Sequence, residues 1–389
     1  MNSAREFTPL RVLHVVDTLG QGGLENGLVN LIQQLDAGEF EHVVCTMRGM
    51  GENLNRLPAD RVQVMCLAAA PGRRFAVSAL RRVIRQVKPD VVHSRNWGSI
   101  EAVVAGRLAG SCAVVHGEHG HESDGAAGEP WRRVGFRRLA FELADRVLAV
   151  SCQLRDHHAR RTGFRADRIT VIHNGVDTRR FSPDEAVRLR MRQQLGLADN
   201  DLCIGCVGNL LPVKSHITLL RALELVAGGC PNWRLVLLGE GSERHNLEEF
   251  VRSHAGWESR VLFLGSSKQV PEMLNAMDVY VLPSVNEGIS NSLLEALATG
   301  LPVIASAAGG NPEVVADDDC GLLFPARDHV RLADQLLTLW NDPERRRELG
   351  LRARQRIATY FSLASMTQQY RQTYQSLRVA AGVGAMARA

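Results

Sequence analysis

The sequence predicts an α/β protein made of two doubly wound Rossmann-like domains that face each other across a cleft. Apolar, β-rich runs alternate with amphipathic helical stretches along nearly the whole chain, the pattern of parallel sheets covered by helices. At 389 residues the chain exceeds what one hydrophobic core usually supports. Turn chemistry at Ile172-His173-Asn174-Gly175-Val176-Asp177 interrupts the alternation after a strand, so one complete series precedes it and a second follows.

In the first series Val12 to Val16 reads as a strand, Leu24 to Leu35 as a helix with apolar positions at 24, 28, 31, 32 and 35, and Val43 to Thr46 as a strand. Asp90 to His93, Ala113 to His116 and Arg146 to Val150 continue that sheet. The polar, arginine-rich stretch Thr178 to Gln194 leads to strands at Leu202 to Val207, Arg234 to Leu238, Val261 to Leu264, Val279 to Leu282 and Val303 to Ala305. Helical segments follow at Pro343 to Ala358 and Ser362 to Leu377, the last expected to return to the first domain. The expected boundaries are 1–177, 178–361, a returning helix at 362–379 and a disordered tail of small residues at 380–389.

An apolar content of 45% and a charged content of 23% describe a soluble globular protein. No apolar run approaches the roughly 20 residues of a membrane-spanning helix. Met1 to Leu10 has no signal-peptide apolar region, so the expected location is the cytoplasm. Cys45, Cys66, Cys112, Cys152, Cys203, Cys206, Cys230 and Cys320 are scattered mostly among apolar neighbours, as reduced core thiols are. Cys203 and Cys206 form a C-x-x-C inside a strand-like run, where positions three apart point to opposite faces, which argues against metal or redox use.

The net charge of +4 is too small for a nucleic-acid partner, but the excess is concentrated in the first half. It lies in Arg73, Arg74, Arg81, Arg82, Arg85 and Lys88, and in a segment that sets Trp131, Val134 and Leu139 among Arg132, Arg133, Arg137 and Arg138. That segment reads either as an interfacial helix on a membrane surface or as a solvated helix face.

Ligands of open α/β sheets bind beyond the carboxyl ends of the strands. The run Val279 to Leu282, ended by Pro283, leads into Glu287-Gly288-Ile289-Ser290-Asn291-Ser292-Leu293-Leu294-Glu295. Ser290 or Asn291 can cap a helix there, with an apolar face at Leu293, Leu294 and Leu297 and a stop at Gly300. The helix N-terminus is an anion site, and the flanking acids suit hydroxyls. A ligand with both a phosphate and sugar hydroxyls fits. Other strand ends carry compatible groups: Gly20-Gln21-Gly22-Gly23 before the first helix, Gly208-Asn209 through Lys214, and Gly239-Glu240-Gly241. The first loop is not a dinucleotide fingerprint, since the third glycine would fall at Glu25. Gly117-Glu118-His119-Gly120-His121-Glu122 offers histidines for a hydroxyl or a metal, and its spacing in a glycine-bearing loop disfavours the metal. His93 is another candidate for the cleft or for a structural role.

The order and spacing of these segments resemble the retaining glycosyltransferases of family 4, which have the GT-B fold. Gly20 to Glu25 resembles the family's glycine loop, Val171 to Asp177 its hinge, and Glu287 to Glu295 its E-x7-E signature; Gly117 to Gly120 is similar to sugar transferases of exopolysaccharide systems. The resemblance implies transfer of a sugar from a nucleoside diphosphate sugar, a UDP-sugar foremost, to a hydroxyl of a glycan or lipid-linked glycan, without a metal or cofactor. It implies Glu287 on donor-sugar hydroxyls, Glu295 on the ribose and His119 beside the sugar. Lys214, Asn209, Gly22, Gly23, Ser290, Asn291 and Ser292 are implied on the diphosphate. Asn209 departs from the basic residue usual there, which keeps open a non-catalytic nucleotide-sugar-binding subunit; the other alternative is a nucleotide-sugar epimerase of the same fold, against which the complete E-x7-E pattern and the hinge argue. A membrane-associated acceptor accounts for the basic first half.

Overall fold

Each half of the chain is organised by an all-parallel sheet. The computed structural model describes residues 8–20, 22–68, 76–120, 129–316 and 320–386; Gln21, Arg73, Arg74, His121, Glu122 and the expected tail at 387–389 lie outside them. Unit 1 comprises Met1–Asn174 with Leu363–Ala389, and unit 2 Gly175–Ser362.

Unit 1 runs β1 (Leu10–Thr18), α1 (Gly23–Gln34), β2 (Phe40–Gly49), β3 (Val62–Cys66), α2 (Ala76–Val87), β4 (Val91–Arg95), α3 (Glu101–Ala109), β5 (Ala113–Glu118), α4 (Trp131–Leu143), β6 (Arg146–Ala149), α5 (Cys152–Thr162) and β7 (Ile169–Val171). Its strand order is β3-β2-β1-β4-β5-β6-β7. Unit 2 runs α6 (Glu185–Gln194), β8 (Leu202–Val207), α7 (His216–Val226), β9 (Trp233–Leu238), α8 (Arg244–Arg252), β10 (Val261–Phe263), α9 (Val270–Ala276), β11 (Val279–Leu282), α10 (Asn291–Ala298), β12 (Val303–Ser306), α11 (Asn311–Val315), β13 (Leu322–Phe324), α12 (His329–Asn341) and α13 (Pro343–Tyr360). The order there is β10-β9-β8-β11-β12-β13. Both are doubly wound sheets with one reversal of strand order.

The central strands read as continuous apolar runs because both faces are covered: Val12, Leu13, Val15 and Val16 of β1 and Val279, Tyr280 and Val281 of β11 are all 0% exposed. The last helix, α14 (Leu363–Met386), belongs to unit 1. Leu363, Met366, Tyr370, Tyr374 and Leu377 recur at helical spacing and bury a stripe against Leu10, Val12, Phe40, Val91 and Val115. The helix runs past residue 379, where the sequence reading ended it, to Met386. Ala380 and Ala381 favour that extension, and Gly382 and Gly384 weaken it by only about 1 kcal/mol each. Within unit 2 the crossing segments are tied together by Val176 N–H donating to the Phe361 carbonyl (2.9 Å) and a parallel bridge from Val176 to Ser362.

All eight cysteines are free thiols. Burial pushes the Cys203 and Cys206 thiols up to about 12, so neither is a nucleophile or ligand at neutral pH.

Candidate functional site

In unit 2, β8 and β11 are neighbours although β9 and β10 come between them in sequence. Strand-order reversals are where crevices open at the carboxyl ends of such sheets, and the loops that carry Asn209, Lys214 and Glu287 to Glu295 follow β8 and β11 there. The loop after β8 and the loop after β11 are joined by Val285 N–H donating to the Val213 carbonyl (2.8 Å). Across the junction Lys214 Nζ donates to Glu287 Oε1 at 2.5 Å, the side chains being 23% and 9% exposed. A pair this sheltered is little screened by salt. Glu287 is held from behind by the loop after β12. Gly309 has φ +55°, and a Cβ there would lie 1.8 Å from the Glu287 carbonyl oxygen, so only glycine fits. Gly310 N–H donates to the Gly288 carbonyl (3.0 Å).

Ser290 caps α10 through its hydroxyl, which accepts from Leu293 N–H. The hydroxyls of Ser290 and Ser292 are 3.1 Å apart. Tyr280 anchors this helix end: its hydroxyl reaches Ser292 Oγ at 2.9 Å and the Val207 carbonyl of β8 at 3.2 Å. Burial raises the Tyr280 phenol well above its usual range, which keeps it a donor. Asn291 opens α10, and half-buried Glu295 lies one turn further on. Asn209 is exposed immediately past β8. Lys214, Glu287 and the start of α10 thus bring a cation, a carboxylate and a helix N-terminus to the carboxyl ends of β8 and β11, with the Glu295 carboxylate one turn along that helix. That set suits a ligand carrying phosphates and hydroxyls.

In unit 1 Gly22 forms the N-cap of α1, and the first-turn acid Glu25 folds over it: a Cβ on Gly22 would meet Glu25 Oε2 at 2.1 Å. The carboxylate sits at the positive end of its own helix, where the sequence pointed to a phosphate. Burial raises the Glu25 pKa. His119 follows β5 and its backbone N–H donates to Asn96 Oδ1 (2.6 Å). Burial, with the charge of Arg95, lowers the His119 pKa to about 3, so the ring is neutral. Glu118 is a structural group: Arg137 Nε donates to it at 2.8 Å, and both side chains are buried.

His93, which the sequence left between a cleft residue and a structural one, is 0% exposed and its Nδ1 lies 2.7 Å from the Tyr374 hydroxyl of α14. One expectation is corrected: the arginines of α4 do not form one surface stripe. Arg137 is buried against Glu118 and Glu129 and Arg133 stacks on Trp97, 4.5 Å from the ring centroid. Trp131 and Leu139, 77% and 50% exposed, remain outward-facing. Tyr280 and the Gly309-Gly310 pair were not picked out from the sequence. Tyr280 sits in an unbroken apolar strand that gives no hint of a polar task, whereas the double glycine after a strand repeats the signal of the other strand ends.

Residues 21–180 match a family model described as Glycosyltransferase Family 4, and residues 187–356 match one described as Glycosyl transferases group 1. The chain is 28% identical over 324 residues to the putative glycosyltransferase EpsF of Bacillus subtilis, covering 79% of this chain and 80% of that one. It is 30% identical over 375 residues to the alpha-maltose-1-phosphate synthase of Mycolicibacterium smegmatis, covering 88% of each. Among solved structures, HepE of Anabaena, crystallised with UDP and glucose, superposes with a TM-score of 0.78 at 23% identity over 94% of this chain and 100% of that one.

Proposed function

The chain belongs to glycosyltransferase family 4 and has the GT-B fold, and from that premise we propose that it is a retaining enzyme moving a sugar from a UDP-sugar to a hydroxyl of a glycan or lipid-linked glycan acceptor in the synthesis of exopolysaccharide or another cell-surface polysaccharide. The observation that carries this reading is the Lys214–Glu287 pair at the mouth of the β8–β11 crevice, beside the N-terminus of α10. An arriving diphosphate competes for Lys214 and releases Glu287 to accept hydrogen bonds from the donor sugar. Asn209 and the N–H groups from Ser290 to Ser292 complete the phosphate contacts, and Glu295 takes the ribose hydroxyls. To unit 1 we assign Gly22 and Gly23 as phosphate contacts, available once Glu25 swings away, and His119 as a neutral hydrogen-bonding partner of the sugar.

Departure of the diphosphate leaves positive character at the anomeric carbon, and the acceptor hydroxyl attacks from the same face as departure, its proton passing to an oxygen of the leaving diphosphate. The helix terminus and Lys214 balance the charge of the leaving group, so the reading needs no metal. The exposed Trp131 edge of α4 is compatible with peripheral contact to a lipid-linked acceptor.

Binding and slow hydrolysis measured across UDP-, GDP- and ADP-sugars test the reading. One donor is expected to dominate, and Glu295→Ala is expected to weaken its binding about tenfold, the cost of a lost charge-assisted hydrogen bond. A chain that binds none of these donors would sink it. Restoring charge with Asn209→Arg is expected to tighten nucleotide binding about fivefold, since a charge-assisted bond exceeds a neutral one by about 1 kcal/mol. An unchanged titration would mean that position 209 does not face the phosphates.

A further inference from the structure

Unit 1 also has a reversal of strand order, between β1 and β4, and the sheet face covered by α14 is polar near it. Strand register pairs His14 with His93 and Arg95 with Gly117, so these residues share one face. Arg95 is 2% exposed. Its Nη1 donates to His14 Nδ1 (3.1 Å). His14 is therefore the Nε2–H tautomer and donates onward to His42 Nδ1 (3.0 Å). The Tyr374 hydroxyl lies 2.7 Å from His93 Nδ1, which leaves Nε2 as the unpaired nitrogen of that ring.

Four nitrogens of this layer lie buried with no hydrogen-bond partner among the described residues: Arg95 Nη2, His42 Nε2, His93 Nε2 and His119 Nε2. Those of His93 and His119 converge over Gly117, where a Cβ would stand 3.0 Å from His119 Nε2 and 3.1 Å from His93 Nε2. A guanidinium cannot shed its proton, and a buried charge without a counter-charge is costly. The groups on which Arg95 acts are His14, His42, His93, His119, Tyr370 and Tyr374, none of them anionic. Among the described residues no carboxylate pairs with it. The buried carboxylate of β5, Glu118, alternates to the opposite face and is spent on Arg137.

We propose that Arg95, His93 and the Nε2 side of His119 form an anion subsite at the carboxyl ends of β4 and β5, taking an oxygen of a phosphate or carboxylate group and leaving the other ring nitrogen of His119 for the donor sugar. This rests on the glycosyltransferase reading and deepens it: the acceptor bound by unit 1 is anionic, the donor diphosphate being the other source of the same chemistry.

Calorimetric titration of the full chain with inorganic phosphate, and separately with UDP, tests the subsite in wild type, Arg95→Met, Gly117→Ala and Lys214→Ala. Phosphate affinity is expected to fall at least tenfold in Arg95→Met and severalfold in Gly117→Ala, which narrows the space without removing charge, and to stay unchanged in Lys214→Ala. UDP affinity falling only in Lys214→Ala assigns the anion to the acceptor; an equal fall in Arg95→Met assigns it to the donor diphosphate. Wild-type protein that binds no phosphate, or Arg95→Met and Gly117→Ala that bind it as wild type does, overturns the subsite. In that case UDP binding that still depends on Lys214 leaves the glycosyltransferase reading intact. UDP binding to none of the proteins, with phosphate binding that depends on Arg95, would reject that reading instead.

Discussion

Glu287→Ala is expected to lower kcat by about 10²- to 10³-fold, the usual cost of deleting one preorganised polar contact to the reacting group, while nucleotide affinity holds or rises. The direction follows from the ion pair. Lys214 Nζ is 2.5 Å from Glu287 Oε1 in a sheltered crevice, so the carboxylate competes with an incoming diphosphate for the same ammonium group. Removing it frees the cation for phosphate and at the same time deletes the acceptor of the sugar hydroxyls. Glu295→Ala should do the reverse, raising the donor Kd with a smaller effect on kcat. Lys214→Ala should damage both, because it strips the diphosphate of its counter-charge and leaves Glu287 unpaired. Donor titrations beside initial rates for the three variants separate these roles. Equal losses in Kd and kcat for Glu287→Ala and Glu295→Ala would undo the division of labour between the two acids.

The sequence showed the alternation of elements and most strands, and the strands it hid have a common cause. β3 and β13 both lie at sheet edges, where one side of the strand is unpaired and apolar patterning is relaxed; Val62–Cys66 includes exposed and half-buried positions. The unit 2 crevice was legible because its parts are local: a strand, a capped helix and two acids within nine residues of chain. The polar layer of unit 1 was not. It depends on register across β1, β2, β4 and β5 and on Tyr374 arriving from α14, a hydrogen bond to His93 that spans 281 residues. His93 read alone gives no sign of that partner. Asn209 was visible as a departure, yet its consequence turns on charges brought in by other loops.

The same polar layer makes unit 1 the acid-sensitive half of the molecule. Burial, followed by the charge of Arg95, lowers the pKa of His14 and His93 well below the ordinary value, that of His42 to about 4 and that of His119 to about 3. The unfolded chain takes up these protons as pH falls through about 6.5, whereas the folded chain refuses that of His42 until about pH 4 and that of His119 until about pH 3. In that window the unfolded state binds more protons, so stability falls as pH falls. His42 and His119 each cost about 2 kcal/mol by pH 5 relative to neutrality, and His14 and His93 act in the same direction, against the 5–15 kcal/mol that typically holds a domain folded. Unit 2 carries His216 in the same condition, lowered to about 4 by burial and by Lys214. Urea unfolding at pH 7.5 and pH 5, followed by hydrogen exchange on peptides from each unit, should therefore show unit 1 opening first and losing several kcal/mol more than unit 2. Replacing His14 and His42 together by glutamine removes two of the four titrations, so the double variant should lose less stability between the two pH values than the wild type does, whatever its stability at neutrality. Unit 1 keeping its neutral stability down to pH 5 would mean that these imidazoles take up protons in place.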